Sequence, residues 1–145
     1  MNQGTTPQVP PERPALAKLA PLCTKYPSQA AALVQTWEDL KYSAGWTQLS
    51  TVDIERTTSP VKGYAPKGFG SQGWVLICGR PRGAKSNTAV LPMLVEETMD
   101  TALFSEVFAS LPNEVAPTHV LLAMMSNDAT VVYYKLSQGL VKPVN

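Results

Sequence analysis

The chain has 145 residues, 44% of them hydrophobic, and this composition predicts a single soluble globular domain with a core of its own. Its net charge of +1 excludes a strong attraction to nucleic acid by overall charge, so any RNA contact would need a local basic patch. Cys23 and Cys78 form no C-x-x-C motif, which predicts reduced thiols in an intracellular compartment. No apolar run suits a signal peptide or a membrane span.

Proline recurs through the first part of the chain, at Pro7, Pro10, Pro11, Pro14, Pro21 and Pro27. Because proline fixes φ and donates no backbone hydrogen bond, this density argues against both helix and strand. We therefore predict a flexible N-terminal arm over residues 1–26 and one folded domain over residues 27–145.

The first predicted helix of the domain covers residues 28–44. Ser28 is a suitable N-cap, apolar residues recur with a helical period through Trp37 and Leu40, and Gly45 suits the C′ position.

Strands are predicted for the middle of the chain. The loosely alternating residues 46–56 predict a first strand, and the Gly/Pro/Ser-rich residues 57–73 predict a long loop. The apolar run over residues 74–78 predicts a buried strand. A second apolar run, residues 89–97, predicts another strand, in which Pro92 indicates a sheet edge or a bulge.

The C-terminal part predicts a second helix and two further strands. Apolar residues at four-residue spacing between Met99 and Leu111 predict an amphipathic helix, which Pro112 closes. The segments "HVLLAMM" and "ATVVYYKL" predict two strands joined by a tight polar turn. This order of elements predicts an α/β fold of the mixed-sheet, α+β kind, with a sheet flanked by two helices.

The segment "GRPRGAKSN", which starts at Gly79, approaches the Walker A pattern through Lys85 and Ser86 but has Ala84 where that motif has glycine. A phosphate loop works at the N-terminus of a helix, where amides and the helix dipole favour an anion. The residues that follow are β-branched, lack a helical period and include Pro92. We therefore interpret the segment as a connection between strands, either a solvated basic loop or a phosphate contact in an RNA complex.

Other candidates for catalysis are few. His119 is the only histidine, and its place at the start of a predicted buried strand favours a structural role. Asp53 and Glu55 share one strand face, as exposed carboxylate pairs often do. No His/Cys/Asp/Glu cluster has metal-ligand spacing, so neither a metal nor a cofactor is predicted.

The segment "HVLLAMMSNDATVVYYKLSQGLVKP" resembles the closing hairpin of the tRNA-intron endonuclease family, which has an apolar strand, an acidic turn and a strand of the type "IVYYKL". The resemblance continues backwards through "TALFSEVFASL" and "TAVLPMLV". At the other end, "KYPSQAAALVQTWEDLKYSAGW" is similar to one branch of that family, the small non-catalytic subunit of the eukaryotic tRNA-splicing endonuclease. The resemblance covers residues 25–145 and implies the family's restriction-endonuclease-like fold.

The resemblance also implies that the active site is lost. Catalytic members cleave RNA without metal and use a Tyr, a His and a Lys, which supply a base, an acid and a cation. Those positions fall near Ile77, Asn87 and Thr118 of this sequence, and none of them matches. His119 lies one residue from the last position and on the opposite strand face.

A structural subunit in a heterotetramer of two catalytic and two structural subunits is therefore implied, with pre-tRNA bound through the complex. The last predicted strand is an apolar edge that a partner would cover. We assign the subunit interface to Val131, Val132, Tyr133, Tyr134, Lys135 and Leu136. In the resembled family the turn before this strand docks into the neighbouring dimer, so the resemblance assigns that role to Ser126, Asn127 and Asp128. The candidate phosphate contacts with RNA are Arg80, Arg82 and Lys85.

In isolation, the same edge strand would permit a homodimer, because an antiparallel strand pair satisfies two-fold symmetry. The implied location is the nucleus, or the cytosolic face of an organelle. Two alternatives stay open: an independent metal-free RNA endonuclease that uses His119 with Lys85 or Arg82, and a small α/β adaptor without an RNA link.

Overall fold

Three helices and six strands make up the described part of the computed structural model, residues 14–55, 73–97, 101–112, 119–137 and 140–143. The helices are α1 (Pro14–Lys25), α2 (Ala30–Glu38), which a π-helix (Asp39–Ser43) continues, and α3 (Thr101–Ala109). The strands are β1 (Thr47–Glu55), β2 (Gly73–Arg80), β3 (Thr88–Leu94), β4 (His119–Met125), β5 (Val131–Ser137) and β6 (Leu140–Pro143).

The strands form one mixed sheet whose spatial order follows the chain from β1 to β6. Only β3 and β4 are parallel, with Val90 opposite Leu121, and every other neighbouring pair is antiparallel. A parallel pair needs a crossover connection, and the segment that contains α3 provides it. The predicted α+β fold with a mixed sheet is therefore confirmed.

Successive side chains of a strand point to opposite faces of the sheet, and helices cover both of these faces. On one face, Leu103 and Val107 of α3 pack with apolar side chains of the sheet such as Leu91. On the other face, Leu19 of α1 and Leu33 of α2 pack with a second set. The continuous apolar runs of β2 and β3 reflect burial on both sides.

Helix α1 occupies part of the segment that the prolines predicted to be a flexible arm, so that prediction is wrong for residues 14–25. Pro14 is at the first helical position, where no backbone donor is required, and Pro21 is exposed. Leu19 is 1% and Ala15 4% exposed in the core shared with α2, and this burial offsets the hydrogen bond that Pro21 lacks. Residues 1–13 of the predicted arm lie outside the described residues.

Helix α2 begins at Ala30 rather than after a Ser28 cap, and Gln29 occupies the N-cap position without making a capping bond. The Gln29 side chain is instead buried between β2 and β3. Its Nε2 donates to the carbonyl oxygens of Val75 (3.1 Å) and Pro92 (2.8 Å), and the Val75 amide donates to its Oε1 (2.8 Å). Gln29, which follows the predicted cap Ser28, thus connects α2 to β2 and β3.

Strand β3 lies inside the sheet, between β2 and β4, so Pro92 does not mark a sheet edge. The β2–β3 ladder joins residues 77–79 to residues 88–90 and stops before Pro92. Beyond that point the side-chain amide of Gln29, and not β2, is hydrogen-bonded to Pro92. The missing N–H of Pro92 therefore removes no hydrogen bond between β2 and β3.

Strand β5 is only partly the uncovered edge that its sequence predicts. Strand β6 pairs antiparallel with residues 134–137, so that half of β5 is covered and the edge prediction is wrong for it. Residues 131–133 pair with β4 and with no other described strand.

Cys23 and Cys78 pack into the cores on opposite faces of the sheet and form no disulfide. Among the described residues, no helix has the length and apolar character that crossing a membrane requires. That same part of the chain holds no cluster of His, Cys, Asp and Glu able to bind a metal ion. Most of the predicted loop, residues 57–72, and Thr118 lie outside the described residues.

Candidate subunit interface and RNA-contact surface

Strand β5 directs Val132, Tyr134 and Leu136 toward the face that α3 covers, because its side chains alternate. Tyr134 and Leu136 pack into that core, and Leu136 is only 2% exposed. Val132 is 47% exposed. Leu136 is therefore a core residue, and Val132 is the member of this set that presents apolar surface.

The other three assigned residues of β5, Val131, Tyr133 and Lys135, face α1 and α2. Lys135 is exposed, whereas Val131 and Tyr133 pack against the core there. The Tyr133 hydroxyl donates a 2.6 Å hydrogen bond to Asp39 in the π-helix. Burial, and then this hydrogen bond, raise the pKa of Tyr133. The neutral phenol thus fastens β5 to the end of α2.

Exposed apolar side chains lie near the part of β5 that β6 does not cover. Val95, directly after β3, is 49% exposed, and its amide donates to the Met125 carbonyl (2.9 Å). In the β4–β5 ladder Met125 is opposite Val131, and Met124 is opposite Val132. Val95 and Val132 therefore lie on either side of the end of β4.

The predicted docking turn is held together by its acidic residue. The Asp128 carboxylate accepts hydrogen bonds from the Ser126 hydroxyl (2.5 Å) and the Thr130 amide (3.1 Å). These hydrogen bonds lower the pKa of Asp128 to about 2. Ala129 takes a φ of 68°, and Asn127 is exposed. The turn therefore presents a negative charge in a defined position.

An apolar groove of about 360 Å³ adjoins this turn, between α1, α2 and the end of β4. Leu16, Val34 and Met125 line it, together with Ala129 of the turn. Cys23 lines it as well, and burial raises the pKa of its thiol. The docking turn is thus continuous with an apolar surface.

Residues 81–87 connect β2 to β3 as an antiparallel pair, so the basic segment joins two strands as predicted and no helix follows it. Its first glycine has a packing role. A Cβ on Gly79 would lie 2.5 Å from the Leu49 side chain and 3.2 Å from the Trp46 ring. Gly83 forms the turn with a φ of 77°. The two glycines thus allow the close packing and the turn of the β2–β3 hairpin, and the Walker A interpretation is excluded.

The three basic residues of this connection have different surroundings. Arg80 donates from Nε to the side-chain oxygen of Asn87 at 3.2 Å. Arg82 lies over Gly45, where an added Cβ would be 2.5 Å from the guanidinium. Arg82 and Lys85 are exposed. These two are therefore the more accessible charges of the set.

Two of the positions to which the sequence resemblance assigned the family's catalytic residues are described, and both hold side chains without acid–base function. Ile77 is fully buried in the core beneath α1 and α2. Asn87 lies just before β3, at the same end of the sheet as His119, because β3 and β4 run parallel. Burial, and then the charge of Lys135, lower the pKa of His119, which favours the neutral imidazole.

A charged cluster that sequence analysis missed joins α1 to β1. Lys25 forms ion pairs with Asp53 (2.7 Å) and Glu55 (2.5 Å), and the Tyr26 hydroxyl donates to Asp53 (2.5 Å). Burial opposes ionisation of Asp53, but the hydrogen bonds from Lys25 and Tyr26 outweigh it and lower the pKa. The spacing of Asp53 and Glu55 was visible in the sequence, but their partners Lys25 and Tyr26 lay in the segment that was predicted to be a flexible arm.

The architecture defines the class of protein: an α+β domain built on a mixed sheet with helices on both faces. The chain belongs to the Sen15 protein family, whose sequence model matches residues 35–145. It is also similar to the probable tRNA-splicing endonuclease subunit sen15 of Schizosaccharomyces pombe, with 33% identity over 66 residues. That match covers 37% of this chain and 46% of the relative, so the chain spans about half the length of the curated protein it matches. The resemblance to the splicing-endonuclease branch is thereby confirmed.

Proposed function

We propose that this chain is a non-catalytic structural subunit of a tRNA-splicing endonuclease, the enzyme that removes introns from pre-tRNA. Membership of the Sen15 family and similarity to the Schizosaccharomyces pombe protein support this proposal. In the proposed heterotetramer of two catalytic and two structural subunits, the chain pairs with a catalytic subunit.

The half-covered strand β5 carries the proposed pairing. Residues 131–133 have no described strand on their outer side, and an uncovered apolar strand edge of this kind tends to pair with another chain. The exposed side chains of Val132 and Val95 would supply apolar contact area beside the new strand pair. The same edge would pair with a second copy when the chain is isolated.

A second contact, through the turn over residues 126–128, would join the two halves of the heterotetramer. The fixed charge of Asp128 favours a basic pocket on the neighbouring dimer, and the apolar groove beside the turn extends the contact area. We further propose that Arg80, Arg82 and Lys85 contact phosphates of pre-tRNA and that the complex acts in the nucleus.

The non-catalytic role is supported by the side chains at the family's catalytic positions. Ile77 is buried and cannot transfer a proton, and Asn87 has no titratable group. His119 is the nearest histidine, but its lowered pKa and partly buried place fit a structural role. In the proposed mechanism, the partner subunit carries out catalysis, and this chain completes the folded assembly of the complex.

The substitution Val132→Asp tests the pairing. We expect it to weaken association with a co-expressed catalytic subunit by at least about tenfold, because an unpaired charge would be desolvated at the interface. Ser50→Asp, an exposed change on β1 at the other side of the sheet, is the matched control. The measurement is the subunit ratio after purification through a tag on the catalytic chain. A normal ratio for folded Val132→Asp would refute pairing through β5.

Cleavage of intron-containing pre-tRNA separates the alternatives. We expect the co-purified complex to cleave it and this chain alone to leave it intact. Cleavage by the pure chain that is lost in His119→Ala would favour an independent endonuclease. Recovery of the chain from cells without any endonuclease subunit would favour the adaptor.

A further inference from the structure

A groove of about 430 Å³ lies between α1, the π-helix and the start of β1, distinct from the β5 edge and the docking turn. Its size is within the range of small-ligand sites, so it can admit a nucleobase. The described lining contains two lysines and two tryptophans and no carboxylate: Lys18, Trp37, Lys41, Trp46, Thr47, Gln48 and Leu49.

Trp46 is the aromatic surface that this groove offers. It is half-buried, and its packing over Gly79 fixes the ring in place. Trp37, by contrast, is 2% exposed, and the Lys18 ammonium lies 4.8 Å from its ring centroid. An aromatic ring that is already held by packing loses little conformational entropy when a base stacks on it.

Three separate elements contribute basic residues to this groove or to its immediate surroundings. Lys18 comes from α1 and Lys41 from the π-helix, and Arg82 of the β2–β3 connection lies over Gly45, the residue before Trp46. The fold therefore brings Arg82, which the sequence placed in a basic connection between strands, close to the residue that precedes Trp46.

A further exposed aromatic residue lies in contact with Lys41 of the groove. Tyr42 is 60% exposed, and the Lys41 ammonium lies 5.5 Å from its ring centroid. This surface therefore combines lysine and aromatic side chains, the two components of sites that bind single-stranded nucleic acid.

Backbone irregularities form two walls of the groove. The π-helix widens the end of α2, with the Ala44 amide bonded to the Asp39 carbonyl (2.9 Å). In β1 the register shifts between Thr47 and Ser50, and the intervening Gln48 takes a φ of 57°. Single π-turns and β-bulges occur frequently beside functional sites, because they redirect side chains without changing the fold.

We propose that this groove binds an unpaired segment of RNA, with a base stacked on Trp46 and backbone phosphates on Lys18, Lys41 and Arg82. A single strand fits better than a duplex, because the bases of a duplex stack on one another and expose no face to a protein ring. The inference rests on the proposed function for its source of RNA, which is an unpaired region of pre-tRNA.

Intrinsic fluorescence provides a direct test on the full chain. Trp37 and Trp74 are each 2% exposed, so quenching by acrylamide reports mainly on Trp46. We expect a single-stranded oligoadenylate to reduce the acrylamide quenching, and a duplex RNA of equal length to leave it unchanged. Equal protection by the duplex, or none by the single strand at about 50 mM salt, would overturn the proposal.

Variants assign the binding to named residues. Trp46→Leu should bind the oligoadenylate about tenfold more weakly, and Trp46→Phe should retain most of the affinity. Lys18→Ala and Lys41→Ala should each lower the salt slope by about 0.7, the value for one phosphate on a single strand. Lys25→Ala, which removes a charge already paired with Asp53, is the control. If Trp46→Leu fails to fold, the two lysine variants and wild-type fluorescence decide the question.

Two further outcomes separate this inference from the proposed function. Groove variants that pair normally with the catalytic subunit but no longer bind oligoadenylate would support both. Oligoadenylate binding by a chain that fails to pair with any co-expressed endonuclease subunit would overturn the proposed function alone. If Trp46 is shielded from acrylamide in the assembled enzyme without RNA, the groove is a protein-contact site and the RNA proposal fails.

Discussion

Gln29 shows how one buried amide can replace part of a β-ladder. Its side chain satisfies the Val75 amide and carbonyl and the Pro92 carbonyl, at a point where β2 and β3 separate. Without it these groups would be buried without partners, which is far more costly than a lost surface hydrogen bond.

Replacing Gln29 with leucine should lower the free energy of unfolding by about 3 kcal/mol or more, because several buried polar groups would lose their partner. Chemical denaturation measures the effect. Gln35→Leu, on the partly exposed side of the same helix, is the control and should change stability by less than about 0.5 kcal/mol. Equal stability of the two variants would mean that Gln29 does not hold β2 and β3 together.

Asp53 gives the fold a pH-dependent contribution through Lys25 and Tyr26. Its pKa is lowered in the folded chain, so the unfolded chain binds the proton more tightly. The resulting stabilisation is fully present above about pH 4, the unfolded value, and is lost as the pH falls through the folded pKa. Because the side chain is 34% exposed, we expect a contribution below about 1 kcal/mol at neutral pH.

Asp53→Asn should therefore be less stable than wild type at neutral pH, and the difference should shrink as the pH falls below about 4. Urea denaturation at a series of pH values measures it. Glu96→Gln, which removes an exposed carboxylate elsewhere, controls for the change in net charge. A difference that persists unchanged in acid would contradict the ionic origin of the effect.

At the scale of elements, α1 shows that proline density is a weak guide when the prolines occupy tolerant positions. Pro14 begins the helix and Pro21 is exposed, while Leu19 contributes to a core that also holds α2 and the sheet. The ion pairs of Lys25 with β1 fasten the end of the helix. Helix α1 therefore belongs to the folded unit and is not an appendage.

Leu19→Ala should consequently cost about 3 kcal/mol of stability, as expected for a large buried side chain. Thr24→Ala, an exposed change in the same helix, should stay within about 0.5 kcal/mol of wild type. Thermal and chemical denaturation of both variants make the comparison. A neutral Leu19→Ala would show that the first helix contributes nothing to the core.

At the scale of the whole molecule, charge placement matters more than net charge. A net charge of +1 gives no general affinity for RNA, yet exposed Arg82 and Lys85 project from one hairpin. Phosphate contacts of this kind are independent of sequence and weaken as salt rises, because binding releases counterions.

Replacing Arg80, Arg82 and Lys85 together with alanine in the assembled enzyme should weaken pre-tRNA binding at low salt and have little effect at high salt. Each lost phosphate contact should lower the salt slope by roughly one unit or less. Turnover of bound substrate should stay unchanged, because the proposed chemistry lies in the partner subunit. Filter binding over a salt series decides it, and unchanged binding at every salt would make the hairpin a solvated connection.

The sequence alone was sufficient for features that depend on short-range pattern. The two-sided burial of β2 and β3 appears as continuous apolar runs, and the residues after Lys85 lack a helical period, which excluded a phosphate loop. The family resemblance also followed from contiguous segments, chiefly the hairpin of β4 and β5.

The tertiary structure decided whatever depends on contacts between distant residues. Gln29 meets Val75 and Pro92 across 46 and 63 residues, and Tyr133 meets Asp39 across 94, so no local pattern records these bonds. The groove around Trp46 likewise combines residues of α1, α2, the π-helix and β1. Helix α1 is stabilised by burial against these distant partners, and that burial overrides the local preference of its prolines because the free energy gained is collective.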